Sequence, residues 1–245
     1  MGDCVARVDT HAVHHASITA RYVAMLRTLG DRRLPERIQR HVDLLALRTR
    51  AFDEAIRLAG ATQVVILGAG FDMRAHRMRE LATARVFEVD RVATQALKRR
   101  RVRNLPHACR ELVHIPCDLE RDDLGPRLEG AGHRVDEPTM WICEGVTQYL
   151  GDLRALVATI ATRSHAGSTL VVEYHEPHTR TSCYSVARRI VLALWSEPQI
   201  GLRSRHEIRQ LLASAGLSIE RDFAIADWQR HARIAIAAIR ELRAA

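Results

Sequence analysis

The hydrophobic rhythm of the chain changes at Gly60. Before it, apolar residues recur every three or four positions: Ile18, Tyr22, Met25, Leu26 and Leu29, stopped by Gly30, then Ile38, Val42, Leu45, Phe52, Ile56 and Ala59. That spacing predicts two helices, Ser17 to Leu29 and a longer one opened by Pro35 and closed by Gly60. After Gly60, short apolar runs alternate with helical periods. Strands are expected at Gln63–Leu67, Arg85–Val89, Leu112–Pro116, Thr139–Cys143 and Ser168–Tyr174. Helices are expected at Asp72–Leu81, Arg91–Arg103 and Leu153–Arg163, and Gly125–Gly132 reads as a loop. The alternation is the signature of a parallel sheet with crossover helices, an α/β fold. Further on, Val186–Trp195 reads as an amphipathic helix, Ser204–Ala215 as a helix, and Leu217–Phe223 and Ile234–Ile239 as strands. The alanine-rich end also permits a helix.

Candidate chemistry collects where the strands stop. The first runs into Gly68-Ala69-Gly70, a turn of the kind that lets a ligand approach bare backbone. Met73 stands where the dinucleotide fingerprint wants its third glycine, so the motif alone reads equally as a structural turn. The second, third and fourth strands lead into Asp90, Asp118 and Glu144. In a parallel sheet these ends share one edge. An acid after the second strand suits a pair of ribose hydroxyls, and one after the fourth suits an ammonium or sulfonium. Each acid taken singly reads as well as a helix cap; three in succession beside a glycine turn favour a site. On the helix before Gly60, Arg48 borders the apolar stripe and Arg50 points away from it. An arginine there clamps a carboxylate or merely snorkels at the core's rim.

With 245 residues the chain is long enough for one domain with a full core. Its formal net charge of +8 raises the question of nucleic acid. Lys98 is the single lysine, and the arginines are scattered, a bias expected from a GC-rich genome. The one cluster, Lys98-Arg99-Arg100-Arg101, is expected to be a solvated helix face. No nucleic-acid partner is therefore expected. Cys4, Cys109, Cys117, Cys143 and Cys183 lack paired spacing, and reduced thiols fit the cytoplasm. His11, His14 and His15 have no carboxylate or cysteine at ligand spacing, so no metal is expected. Neither a signal peptide nor a run near the roughly 20 apolar residues of a membrane span is expected.

Several stretches, in order and spacing, resemble the leucine carboxyl methyltransferase family and its bacterial relatives among S-adenosylmethionine-dependent methyltransferases. They are Arg48 to Glu54, Val64 to Arg77, Phe87-Glu88-Val89-Asp90, Pro116-Cys117-Asp118-Leu119 and Glu144 to Leu150, with a fainter match from Ser196 to Gly216. The resemblance implies a Rossmann-like class I methyltransferase. Its sheet would be seven-stranded and mostly parallel, with helices on both faces and the last two strands as an antiparallel pair. The implied divisions are an N-terminal helical lid at 1–60, a cofactor-binding core at 61–174, and a substrate wall with terminal strands at 175–245. It implies S-adenosyl-L-methionine as cofactor. Arg50 or Arg48 would hold the methionine carboxylate, Gly68, Ala69 and Gly70 would pass under methionine and ribose, and Asp90 would take the ribose hydroxyls. Asp118 and Leu119 would frame the adenine, Glu144 would lie near the methionine end, and Tyr149 would close that side. The helical wheel favours Arg48, the family register Arg50. The segment before Arg48 is shorter than the family's lid, so the acceptor of better-known relatives does not transfer.

The expected reaction is transfer of a methyl group to a carboxylate of a small metabolite or peptide terminus. A carboxylate acceptor is already ionised and requires no catalytic base. A hydroxyl or amine acceptor would want one, and His175 or His178 then follows the fifth strand; both also read as solvated loop histidines. A nicotinamide-binding oxidoreductase and a non-catalytic cofactor- or RNA-binding module are the readings from other classes.

Overall fold

A computed structural model describes residues 35–177 and 200–239. Their elements are α1 (Glu36–Ala59), β1 (Gln63–Leu67), α2 (Arg74–Arg77), β2 (Arg85–Asp90), α3 (Val92–Val102), β3 (Glu111–Pro116) and α4 (Leu124–Gly130). There follow β4 (Thr139–Cys143), α5 (Arg154–Thr162), β5 (Thr169–His175), α6 (Arg205–Ser214), β6 (Leu217–Ala224) and β7 (Ala232–Ile239). The helix expected at Ser17–Leu29, that at Val186–Trp195, and His178 lie outside the described residues.

The seven strands run in the order β3-β2-β1-β4-β5-β7-β6. The first five are parallel, and β7 pairs antiparallel with both β5 and β6. This is the Rossmann-like class I methyltransferase arrangement that the motifs implied. Both central strands, β1 and β4, are buried along their whole length, in keeping with the apolar runs Val64 to Leu67 and Met140 to Cys143. One core layer joins Val65, Phe87 and Trp141 to Leu128, Val157 and Ile208 of the helices α4, α5 and α6. On the other face, Phe52 and Ile56 of α1 pack with Ile66 and Ile142. Burying a side chain such as Phe52 contributes about 1.5–3 kcal/mol.

Pro35 precedes α1 and Gly60 ends it in the left-handed conformation (φ 54°), as the sequence pattern has it. Ile38 is exposed, however, so the buried stripe starts only at Leu45. Three further expectations change. Gly125–Gly132 is mostly the helix α4, because Asp123 accepts the Gly125 N–H at 3.1 Å and Pro126 falls in the first turn, where its missing N–H costs nothing. Asp72–Leu81 holds only the single turn α2 and a 3-10 turn, since Met78 adopts extended angles between them and buries its side chain. Lys98 is fully buried: its Nζ lies 2.7 Å from a Glu88 carboxylate in the middle of the sheet. Only Arg99, Arg100 and Arg101 form the solvated face. The alanine-rich end is the strand β7, where Ile234 and Ile236 pair across to Phe223 and Arg221.

Candidate active site

The crevice follows from strand register. Leu67 of β1 pairs with Val89 of β2 and with Cys143 of β4. Gly68, Asp90 and Glu144 therefore emerge side by side, one residue beyond those partners. Between β1 and β4 the strand order reverses, which is where open α/β sheets bind their ligands.

Gly68 (φ 62°) and Gly70 (φ 46°) both occupy the left-handed region. The Gly70 N–H donates to Asp90 Oδ2 at 2.6 Å, and the Arg91 N–H donates to Oδ1 at 2.7 Å. Burial pushes the Asp90 carboxyl upward, opposed by these backbone donors and by the Thr94 hydroxyl. Three donors leave roughly one of about four acceptor positions for a ligand. Asp90 thus both fixes the turn and offers an acid to the crevice. At Gly68 the missing Cβ serves a different purpose from the one expected. An added Cβ there would overlap Val146, whose side chain already fills the space.

Across the switch point lies a buried ionic network. Arg48 comes from α1 and donates through Nε to Glu144 Oε1 at 2.8 Å, while its Nη1 lies 3.2 Å from Glu173 Oε2. Arg74 pairs with Asp53 at 2.7 Å, with Glu144 at 2.6 Å, and with Asp72. Burial works against both guanidiniums, and the carboxylates around them outweigh it, so both stay charged. Burial pushes the Glu173 carboxyl up, yet Arg48 and His175 hold it below the usual range. His175 Nε2 lies 3.2 Å from Glu173 Oε1. An ionised carboxylate only accepts, so Nε2 carries the proton and Nδ1 is the basic nitrogen.

Of the two candidate arginines, the structure brings Arg48 to the crevice and leaves Arg50 exposed. Asp118 turns back on its own loop, its Oδ1 accepting the Glu120 N–H at 3.1 Å, and Leu119 packs against the core below. Tyr149 sits partly buried on the 3-10 turn Thr147–Tyr149, which is anchored by Thr147 Oγ1 donating to the Glu173 carbonyl at 2.7 Å. Sequence reasoning missed Asp53, Arg74 and Glu173. Glu173 was visible as a lone acid in the apolar run Leu170 to Tyr174, and Arg74 as a charge two residues after Asp72.

These groups suit S-adenosyl-L-methionine by their chemistry. The network sets four carboxylates (Asp53, Asp72, Glu144, Glu173) against three guanidiniums, the buried Arg48 and Arg74 and the part-exposed Arg77 on Asp53, and the remaining acid favours a cationic ligand. Arg48 supplies a fork for a carboxylate, and Asp90 an acceptor for a hydroxyl.

Comparison with known proteins points the same way. The model of the family described as "Leucine carboxyl methyltransferase" matches residues 6–161. A protein of Mycolicibacterium gilvum, named as a candidate S-adenosyl-L-methionine-dependent methyltransferase, is 40% identical over 148 residues. The match takes in 57% of this chain and 47% of that protein, so the chain spans about half the length of the curated relatives it matches. Among solved structures, a DUF574 family protein from Streptomyces avermitilis superposes with a TM-score of 0.64 at 15% identity, covering 95% of this chain and 99% of that one. Magnesium protoporphyrin IX methyltransferase from Synechocystis, solved with bound S-adenosylhomocysteine, gives 0.57 at 15% identity, with 94% and 98% covered. At such identities the structural likeness speaks for the fold.

Proposed function

The chain belongs to the leucine carboxyl methyltransferase family, and from that premise we propose that it is an S-adenosyl-L-methionine-dependent O-methyltransferase forming a methyl ester on a carboxylate. The acceptor is a small metabolite or a peptide terminus, and the reaction is cytoplasmic, without nucleic acid or membrane as partner. The observation that carries this reading is the acid-rich network around Arg48 and Arg74, set beside Asp90 and the Gly68–Gly70 turn at the reversal of strand order.

The cofactor supplies an electrophilic methyl group on a sulfonium. Each side chain has a part that its chemistry suits. Arg48 holds the methionine carboxylate, Asp90 accepts from the ribose, and Glu144 keeps the electrostatic field negative around the sulfonium and ammonium. Ala69 belongs to the backbone under the cofactor, and Tyr149 to the wall beside Glu144. Holding acceptor and donor in line supplies most of the acceleration, on the order of 7–11 kcal/mol for well-oriented groups. No general base is needed for a carboxylate.

One observation favours a second reading. His175 at the end of β5 is oriented by buried Glu173, the arrangement of a general base and its orienting acid. Such a pair would serve a hydroxyl acceptor. Candidate acids and alcohols incubated with methyl-labelled cofactor decide between the two. Product label lost in mild alkali marks an ester, and label retained marks an ether. Calorimetry with the cofactor tests the arginine assignment: Arg48→Met weakens binding and Arg50→Met leaves it unchanged.

A further inference from the structure

Glu173 is 2% exposed and touches both Arg48 and His175. Arg48 Nη1 straddles the carboxylate, 3.2 Å from Oε2 and 3.4 Å from Oε1, and His175 Nε2 lies 3.2 Å from that same Oε1. The charged groups facing it are Arg48 from α1, Glu144 beyond β4, and His175 on its own strand. The Cys143 thiol, pushed up to about 12 by burial and by Glu173, stays neutral beside it. The backbone of Glu173 is fixed as well, since its carbonyl accepts from Thr147. The side chain therefore has two cationic or polar partners to divide itself between, and one of them, Arg48, is the group assigned above to the cofactor's carboxylate.

We propose that Glu173 is a positioning residue that couples the cofactor side of the site to the acceptor side. Resting on the reading that Arg48 holds the methionine carboxylate, it works by competition. Arg48 turns from Glu173 to that carboxylate, and Glu173 then serves His175 alone. His175 is thereby held more firmly, in one tautomer, with Nδ1 available to an acceptor. A hydroxyl acceptor, which donates to Nδ1, would meet a prepared imidazole only when the cofactor is in place. The alternative, a Glu173 that merely neutralises Arg48 in the core, predicts no response of His175 to the cofactor's charge.

The full chain is tested with two ligands, S-adenosylhomocysteine, which keeps the amino-acid moiety, and 5′-methylthioadenosine, which lacks it. Nitrogen-15 NMR of the histidine rings, with His175 assigned by its loss in His175→Gln, reports the contact to Glu173. The expected result is that S-adenosylhomocysteine moves the His175 ring resonances, methylthioadenosine does not, and Glu173→Gln binds the former without moving them. Calorimetry should also show Glu173→Gln binding S-adenosylhomocysteine about fivefold more tightly, as removal of one competing hydrogen bond of about 1 kcal/mol implies. Tighter binding of S-adenosylhomocysteine than methylthioadenosine that depends on Arg48, with His175 unmoved, overturns the coupling and leaves the Arg48 assignment standing. An Arg48→Met variant that binds both ligands as wild type does overturns that assignment itself. Weaker binding by Glu173→Gln also overturns the coupling, because Glu173 would then be holding Arg48 for the cofactor. Should that variant fail to fold, the two-ligand comparison on the wild type decides alone.

Discussion

The backbone N–H of Gly70 donates to Oδ2 of Asp90 across 2.6 Å, tying the turn after β1 to the last residue of β2. The bond joins two features that are 20 residues apart in sequence, and it sets the floor of the crevice. Asp90→Ala removes both the tie and the acid offered to the ribose. Cofactor affinity should fall by roughly 1.5–3 kcal/mol, the usual worth of a hydrogen bond to a charged group. Calorimetric titration measures it, and an unchanged dissociation constant removes Asp90 from the site.

Gly68 is constrained twice, by its positive φ and by Val146 packed where a Cβ would go. Alanine at this position meets both obstacles. Left-handed backbone costs a non-glycine residue about 1–2 kcal/mol, and overpacking adds about 1–3. Gly68→Ala should therefore lower the chemical-denaturation midpoint clearly, and Val146→Ala in the same chain should restore the packing part of the loss. Failure of the double variant to recover anything would assign the whole cost to the backbone.

Lys98 and Glu88 form a pair that is buried on both sides, 2.7 Å apart, with His114 Nδ1 another 3.4 Å from the same carboxylate oxygen. Lys98→Met leaves the buried Glu88 without its lysine partner in the sheet. Breaking such a pair from one side typically costs about 3–5 kcal/mol. Replacing both, as Lys98→Met with Glu88→Gln, should recover most of that, because the cost lies in the stranded charge. Urea unfolding followed by circular dichroism of the three proteins checks the order.

The contrast between strand ends and strand middles explains what the sequence makes legible. β1 and β4 could be bounded to the residue, since central parallel strands are mostly apolar and Gly68 and Glu144 break the run abruptly. Asp90 and Glu144 were found because they stand at those breaks. Glu173, Glu88 and Arg74 were not, because a charge inside an apolar run has meaning only through a partner far away in the chain. Arg48 reaches Glu173 over 125 residues, and no local spacing encodes that. Lys98 shows the same blindness in reverse. Three arginines beside it are solvated, and only the acid on the neighbouring strand turns this one residue inward.

His133 gives the stability a pH dependence whose sign can be worked out. Its ring lies against Phe87 and Trp141, and Nε2 is 3.0 Å from the Thr139 hydroxyl. Burial, with help from the nearby Arg163 and Arg85, depresses its proton affinity from the ordinary 6.5 to about 4. Between these values the unfolded chain binds a proton that the folded chain refuses. Stability is therefore full above about pH 6.5 and is lost as the pH falls toward 4, by on the order of 3 kcal/mol for this group. His133→Gln removes the titration without adding a charge. Urea unfolding of both proteins at pH 6.5 and pH 4.5 should show the wild type losing more stability across the interval than the variant. Equal losses would mean that His133 takes up its proton in the folded protein as readily as in the unfolded chain.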